Sequence, residues 1–181
     1  MSDEKIHRME LDIARLQSKI NGYDRVMKAT PGKLTISGEL DWGEVAMRVV
    51  AKRTTSQALA NNAVTAVEFT EADQEGAEFW AIDDNTKIVI PQDGWWLVNA
   101  GMLISANNTG TRAVHVMVND SYDIIRTRTG ATSSGKWGMN PSAYVPLMAG
   151  DYLELKAFQN SGSPLTMDAD DFSPSITVRA L

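Results

Sequence analysis

The sequence predicts an all-β protein, an antiparallel β-sandwich, preceded by an N-terminal α-helical coiled coil. Apolar residues near the N terminus follow a heptad period, and Pro31 and Gly32 end that pattern. Beyond them, short runs with a period of two alternate with turn residues, and the helical period does not return. The 181 residues fit one domain with an appendage. We therefore predict a helix over residues 1–30, a linker with short extended pieces over 31–45, and a β-sandwich head over 46–181.

The predicted helix carries apolar residues at alternating steps of three and four, which are the a and d positions of a heptad. These positions are Ile6, Met9, Ile13, Leu16, Ile20, Tyr23 and Met27. The narrow stripe and its terminal location favour self-association over packing of the helix on its own domain. Isolated helices are marginal in water, so we expect copies of this chain to associate through it. Ile at a with Leu or Met at d fits two strands by the simple rules, so the heptads alone do not fix the number of chains.

The remainder of the chain reads as about eight short strands separated by turn signals. After extended pieces at 34–36 and 45–49, the predicted strands cover residues 63–69, 87–90, 95–104, 112–118, 122–129, 143–147, 152–158 and 175–180. Val114, Val116 and Val118 share one face of their strand, with His115 on the other. Trp95 and Trp96 are adjacent in a strand, so they face opposite sides, one in the core and one on an outer or inter-subunit face. Closely spaced strands without intervening helices predict the antiparallel sandwich.

Composition excludes several classes of protein. The chain has 17 Lys and Arg against 23 Asp and Glu, a net charge of -6, so we expect no nucleic-acid binding. The absence of cysteine excludes disulfides, thiolate metal sites and a cysteine nucleophile. The first residues lead into no apolar run, which predicts no secretory signal peptide. No apolar stretch approaches the roughly 20 residues that cross a bilayer, so we expect no membrane insertion.

The chain offers little for catalysis. Residues 130–136 resemble a phosphate-binding loop, but Trp137 stands where that motif needs a Ser or Thr. The two histidines are His7, in the coil, and His115, in a strand, which is too few for a metal-dependent jelly-roll enzyme. We therefore predict no catalytic residues, no cofactor and no transition metal.

An acidic group near the C terminus leaves the question of calcium open. Asp168, Asp170 and Asp171 could supply oxygen ligands, but they lack the glycine and distal glutamate of an EF-hand loop. A solvated loop is the expectation.

Loops of the head are the expected place for ligand binding, because strands are fixed by their pairing. The segment Gly130 to Pro141 is the longest loop by this interpretation, and Trp137 lies in it beside Lys136. An exposed indole suits stacking on sugar rings. Trp137, Lys136 and Tyr122 are the candidate ligand-binding residues, and the alternative for Trp137 is that it caps the end of the sandwich as core.

The C-terminal part resembles a known jelly-roll family. The segments that carry the resemblance are residues 48–69, 90–105, 108–119, 147–162 and 173–181, including Pro91 to Gly94 before an aromatic strand and Ala149 to Leu155. The family comprises the trimeric globular heads of the first complement component and of tumour necrosis factor (TNF), in the version found on bacteriophage structural proteins. The resemblance implies a TNF-like jelly roll of ten strands around a threefold axis, displayed on a virion, binding host-surface ligands and without enzymatic activity.

The expected function is that of a bacteriophage virion protein, a short homotrimeric tail fibre or spike. Its N-terminal helix would dock on other virion proteins of the tail or capsid, and its head would bind a host cell-surface glycan or protein. It would be made in the host cytoplasm and located at the particle surface. A head fibre or capsid decoration protein is the alternative within this class. A secreted lectin-like or cytokine-like ligand is the alternative from another class, against which the expected lack of a signal peptide counts.

Overall fold

The computed structural model describes residues 26–30, 33–37, 47–75, 77–80, 82–131, 135–169 and 174–181, the first two of these segments through their backbone. The chain divides into two units, residues 1–42 and 43–181, and we call the second unit the head. The strands are β1 (Val26–Thr30), β2 (Lys33–Ser37), β3 (Arg48–Lys52), β4 (Gln57–Leu59), β5 (Ala63–Ala66), β6 (Glu71–Glu75), β7 (Lys87–Val89), β8 (Gly94–Ile104), β9 (Thr111–Val118), β10 (Tyr122–Gly130), β11 (Trp137–Met139), β12 (Ser142–Leu147), β13 (Tyr152–Gln159), β14 (Leu165–Met167) and β15 (Ser175–Ala180). A 3-10 turn covers Ile82–Asp84, and no helix in the described part of the chain is long and apolar enough to cross a membrane.

The first unit contains an antiparallel pair, β1 with β2, in which Thr30 pairs with Lys33. The helix predicted over residues 1–30 is therefore wrong for its last turn, because Met27 lies in a strand opposite Ile36. A Pro-Gly pair suits a connection between strands as well as the end of a helix, and local spacing could not separate the two. The other heptad positions, Ile6, Met9, Ile13, Leu16, Ile20 and Tyr23, lie outside the described residues.

The head is an antiparallel β-sandwich, as the sequence predicts. Within the described residues one sheet has the order β10-β9-β13-β5, with β7 also paired to β13. The other has the order β4-β14-β8-β15-β3-β6, with β11 and β12 both paired to β8. Every pairing that the structure describes in the head is antiparallel.

Alternating side chains of both sheets build the core. Val114, Val116 and Val118 of β9 are all buried, which confirms the period-two interpretation. Trp96 of β8 is fully buried and packs edge-to-face on Phe79, with ring centroids 5.8 Å apart. Trp95, its neighbour, faces out with 59% of its surface exposed, so the prediction of opposite faces is also confirmed. Burying an aromatic pair of this kind stabilises the sandwich by several kcal/mol.

The sandwich has two distinct ends. At the base end, where β3, β8, β10 and β13 begin, the described head starts and finishes: Ala180 donates its N–H to the Met47 carbonyl at 2.9 Å, and Leu181 donates to the Trp95 carbonyl at 3.1 Å. At the distal end lie the connections from β8 to β9, from β10 to β11 and from β13 to β14. The β9–β10 hairpin turns at the base end through Asn119 and Asp120, whose φ angles of 51° and 54° are those of a type I′ turn.

Candidate functional site

The three predicted ligand-binding residues do not come together in the fold. Tyr122 is the first residue of β10, at the base end, and is 53% exposed. Lys136 follows the far end of β10, at the distal end. The nine residues of β10 separate them by roughly 25–30 Å, so one small ligand cannot contact both.

Trp137 is not an exposed ligand platform. It is only 7% exposed, pairs with Ile104 of β8, and donates its indole N–H to Thr129 Oγ1 at 3.4 Å. The expectation of an exposed indole is wrong, and the alternative, that Trp137 caps the sandwich as core, matches the structure. The predicted loop from Gly130 to Pro141 is interrupted because its residues 137–139 form β11 on the edge of β8.

The acidic group near the C terminus is only partly described. Lys136 Nζ lies 3.3 Å from Asp168 Oδ2, so that carboxylate has a cation partner within the chain. Asp170 and Asp171 lie outside the described residues. In the segments that the structure describes, no group of three His, Asp or Glu side chains could hold a metal ion.

The outer face of the β10-β9-β13-β5 sheet carries a network of charged side chains that pair with one another. Lys156 donates to Asp120 and lies 3.0 Å from Glu154. Burial opposes the charge of Lys156, but its hydrogen bonds to these two carboxylates prevail and raise its pKa. The hydrogen bond from Lys156 also lowers the pKa of Asp120. His115 Nδ1 lies 3.0 Å from Asp123 on the same face. Asp120 and Glu154 are therefore both paired with the cation of Lys156 on this face.

An apolar patch lies on the outer face of the other sheet, at the base end. Trp95 pairs with Pro146 and Leu97 pairs with Tyr144 across β8 and β12, so all four side chains share one face. Trp95 is 59% and Tyr144 62% exposed. We call these four residues the base patch.

The face beside the base patch changes character across the sheet. Arg179 of β15 is exposed and pairs with Leu97 beside the patch. Farther along these strands the face carries small polar side chains such as Asn99 and Thr177, and its far edge is charged, with Arg48 bound to Asp73 at 2.9 Å. Large exposed aromatic side chains with an arginine beside them are typical of a protein contact surface.

The distal end contains a residue that the sequence interpretation missed. Arg112 is only 1% exposed, and its guanidinium donates to the carbonyls of Asn107, Thr109 and Thr111 at 3.0–3.2 Å. Burial lowers its pKa. A signal was present in the sequence: Arg112 lies an even number of residues from Val114, Val116 and Val118, so its side chain is placed on the same inward face of β9.

Comparisons with known proteins place the fold. No protein-family model and no curated protein matches the chain. A structure of murine APRIL at pH 8.5 superposes with a TM-score of 0.58 at 11% identity, covering 76% of this chain and 100% of that chain. A structure of murine APRIL at pH 8.0 gives 0.58 at 14% identity, with coverage of 75% and 99%. The head therefore has a TNF-like jelly-roll fold.

Proposed function

We propose that this chain forms a homotrimer that displays its head for ligand binding, as a structural protein of a bacteriophage virion, either a short tail fibre or a spike. The base patch is the observation that carries the self-association. Monomers rarely keep two large aromatics this exposed side by side on a regular sheet, because their burial against a partner is worth roughly 1.5–3 kcal/mol for each side chain.

Three copies of one chain can each contribute the same patch around a symmetry axis. The small side chains of Asn99 and Thr177 beside the patch let backbones approach closely, while the ion pairs of Arg48 remain at the rim. A core of aromatics with a charged rim is the usual anatomy of a stable protein interface.

The virion role is supported by the sequence. The heptad positions from Ile6 to Tyr23 offer a second association element, suited to docking on tail or capsid proteins. The sequence resemblance to heads of phage structural proteins adds the display role. The proposal needs no catalytic group, cofactor or metal.

The head contact can be tested without interference from the predicted coil. In the full-length chain carrying Ile13→Asp and Leu16→Asp, we expect sedimentation equilibrium still to detect a trimer, weakened but present. Adding Tyr144→Glu should reduce it to monomer, because a charge then faces the partner copy. The control Tyr122→Glu, equally exposed but outside the base patch, should leave the trimer unchanged. Dissociation of the trimer by both Tyr144→Glu and Tyr122→Glu, or by neither of them, contradicts the assignment of the head contact to the base patch.

The virion location has its own test. Antibodies raised against the head should label intact particles from the source strain in immunogold electron microscopy. Labels along the tail support the fibre or spike, whereas labels on the capsid support the head fibre or decoration protein. Particles without label overturn the virion proposal.

A secreted cytokine-like ligand is the second candidate. The observation that favours it is the superposition on murine APRIL, which extends over the whole of that chain. Accumulation of the protein in the medium of intact producing cells, with unlabelled particles, supports this candidate against the virion role.

A further inference from the structure

Three polar loops meet at the distal end of the head. They are residues 60–62, 105–111 and 160–164, and we call them the distal loops. Their sequences contain Asn, Ser, Thr and Gly but no Asp or Glu. A surface of this composition offers hydrogen bonds without negative charge.

Several backbone carbonyls of the longest distal loop, residues 105–111, accept hydrogen bonds from other groups of the head. Arg112 binds the carbonyls of Asn107 at 3.2 Å and of Thr109 and Thr111 at 3.0 Å. The carbonyl of Gly110 accepts from the Ala131 N–H at 2.9 Å. The backbone carbonyls of residues 107 and 109–111 therefore already accept hydrogen bonds within the chain.

Three asparagine side chains of the distal loops turn their oxygen atoms toward backbone N–H groups. Asn160 Oδ1 accepts from the Thr111 N–H at 2.6 Å, Asn61 Oδ1 accepts from the Gly162 N–H at 2.8 Å, and Asn107 Oδ1 accepts from the Thr109 N–H at 2.8 Å. A backbone N–H can only donate, so each amide must turn its oxygen inward. The three NH₂ groups meet no acceptor among the described residues and remain as donors.

Positive charge accompanies these donors. Arg112 and Arg128, like Arg179 at the base end, contact no carboxylate within the described ranges, whereas Arg48, Arg53 and Arg126 each do. Arg128 is exposed and is held against Thr111 Oγ1 at 3.0 Å and over the Phe158 ring at 5.8 Å. The distal end thus combines free donors with two guanidinium charges that no described acid neutralises.

We propose that the distal loops bind an acidic polysaccharide of the cell surface, whose carboxylate or phosphate oxygens accept hydrogen bonds from the asparagine amides and Arg128. Charge-assisted hydrogen bonds of this kind are the stronger ones. A nucleic acid fits less well, because the chain carries a net charge of -6 and the nearest tryptophan, Trp137, is buried. This inference rests on the proposed function and names the ligand class.

Two substitutions test it with little effect on the fold. Asn61→Asp and Asn160→Asp keep an oxygen that accepts the same backbone N–H, and they replace a donor by a negative charge. With polygalacturonate as the probe in titration calorimetry, each should weaken binding by about tenfold or more. Polyphosphate should compete with polygalacturonate, neutral dextran should not bind, and added salt should weaken binding.

A matched pair on one strand isolates the charge. Arg128→Gln should weaken polygalacturonate binding several-fold, and Arg126→Gln, two residues away on the same face, should leave it unchanged. Equal binding of dextran, or equal effects of the two arginine substitutions, overturns the inference.

The outcomes separate this inference from the proposed function. A trimer that adsorbs to host cells but ignores polygalacturonate and polyphosphate keeps the proposed function and removes the acidic ligand. A protein that binds polygalacturonate but is absent from virions keeps the acidic ligand and removes the proposed virion role.

Discussion

The two ends of the head differ in what they expose. At the base end, Trp95, Tyr144, Met148 and Leu181 are all more than half exposed. At the distal end, the large residue Trp137 is buried and the exposed loops are polar. Apolar surface is costly in water, so its concentration at one end supports the self-association that we propose for the base patch. The polar distal loops suit a ligand that exchanges hydrogen bonds with water.

The largest expected difference between the ends comes from one substitution made at both. Trp137→Ala should lower the free energy of unfolding by about 3–5 kcal/mol, because it opens a cavity in the core. Trp95→Ala should change the unfolding free energy of the isolated subunit by less than about 0.5 kcal/mol while weakening self-association. Denaturant unfolding of both variants in the monomeric Ile13→Asp, Leu16→Asp, Tyr144→Glu background measures the unfolding free energies, and sedimentation equilibrium of Trp95→Ala in the Ile13→Asp, Leu16→Asp background measures the self-association. A Trp137 variant as stable as the parent contradicts the buried position.

The buried cation of the distal end gives the next effect. Arg112→Met should destabilise the head by about 2–3 kcal/mol, because three inward carbonyls lose their donor. Arg126→Met, on the adjacent strand and exposed, should cost less than about 0.5 kcal/mol. Urea denaturation monitored by tryptophan fluorescence compares the two, and equal midpoints would show that Arg112 does not stabilise the loop of residues 105–111.

Two glycines with positive φ compare the ends more finely. Gly150, in the base-end turn, has φ +87° and open space where a Cβ would lie, so Gly150→Ala should cost only about 1 kcal/mol. Gly110 has φ +76°, and a Cβ there would lie 2.2 Å from the Asn160 carbonyl oxygen. Gly110→Ala should therefore cost at least about 1 kcal/mol more than Gly150→Ala. Thermal denaturation of the pair measures the difference, and equal shifts would mean that the two distal loops separate without cost.

The smallest expected effect is a pH dependence at the base-end turn. The hydrogen bond from Lys156 lowers the pKa of Asp120 below its unfolded value. Stability from this pair is therefore present at neutral pH and is lost as pH falls through the folded pKa, below about pH 4. Carboxyl titration followed by NMR should show the Asp120 pKa return to its ordinary value in Lys156→Met. An unchanged titration would show that the ion pair does not form in solution.

Much of the head could be predicted because its strands repeat locally. The sequence pattern predicts β8, β9, β10, β12, β13 and β15 within about two residues at each end. It does not predict strands β4, β6, β11 and β14. Three of them have three residues, and β6 has the polar sequence Glu71 to Glu75, which shows no apolar alternation. Such strands form because a neighbouring strand supplies their hydrogen bonds, and the local sequence does not show which strand that will be.

The candidate site was predictable only in part, for the same reason. The expectation of a ligand surface on loops follows from the pairing that fixes the strands. The placement of Tyr122 and Lys136 at opposite ends does not, because it depends on the length of β10 and on how β11 returns to β8.

The sequence by itself determined which residues of each regular strand share a face. It therefore determined the core residues Val114, Val116 and Val118 and the opposite faces of Trp95 and Trp96. This alternation is a property of the extended backbone and needs no partner strand. Tertiary structure alone decided that Trp137 is buried against β8 and that Asn160 ties two of the distal loops together through Thr111. Those contacts join segments far apart in the chain, so they exist only once the two sheets have closed over one core.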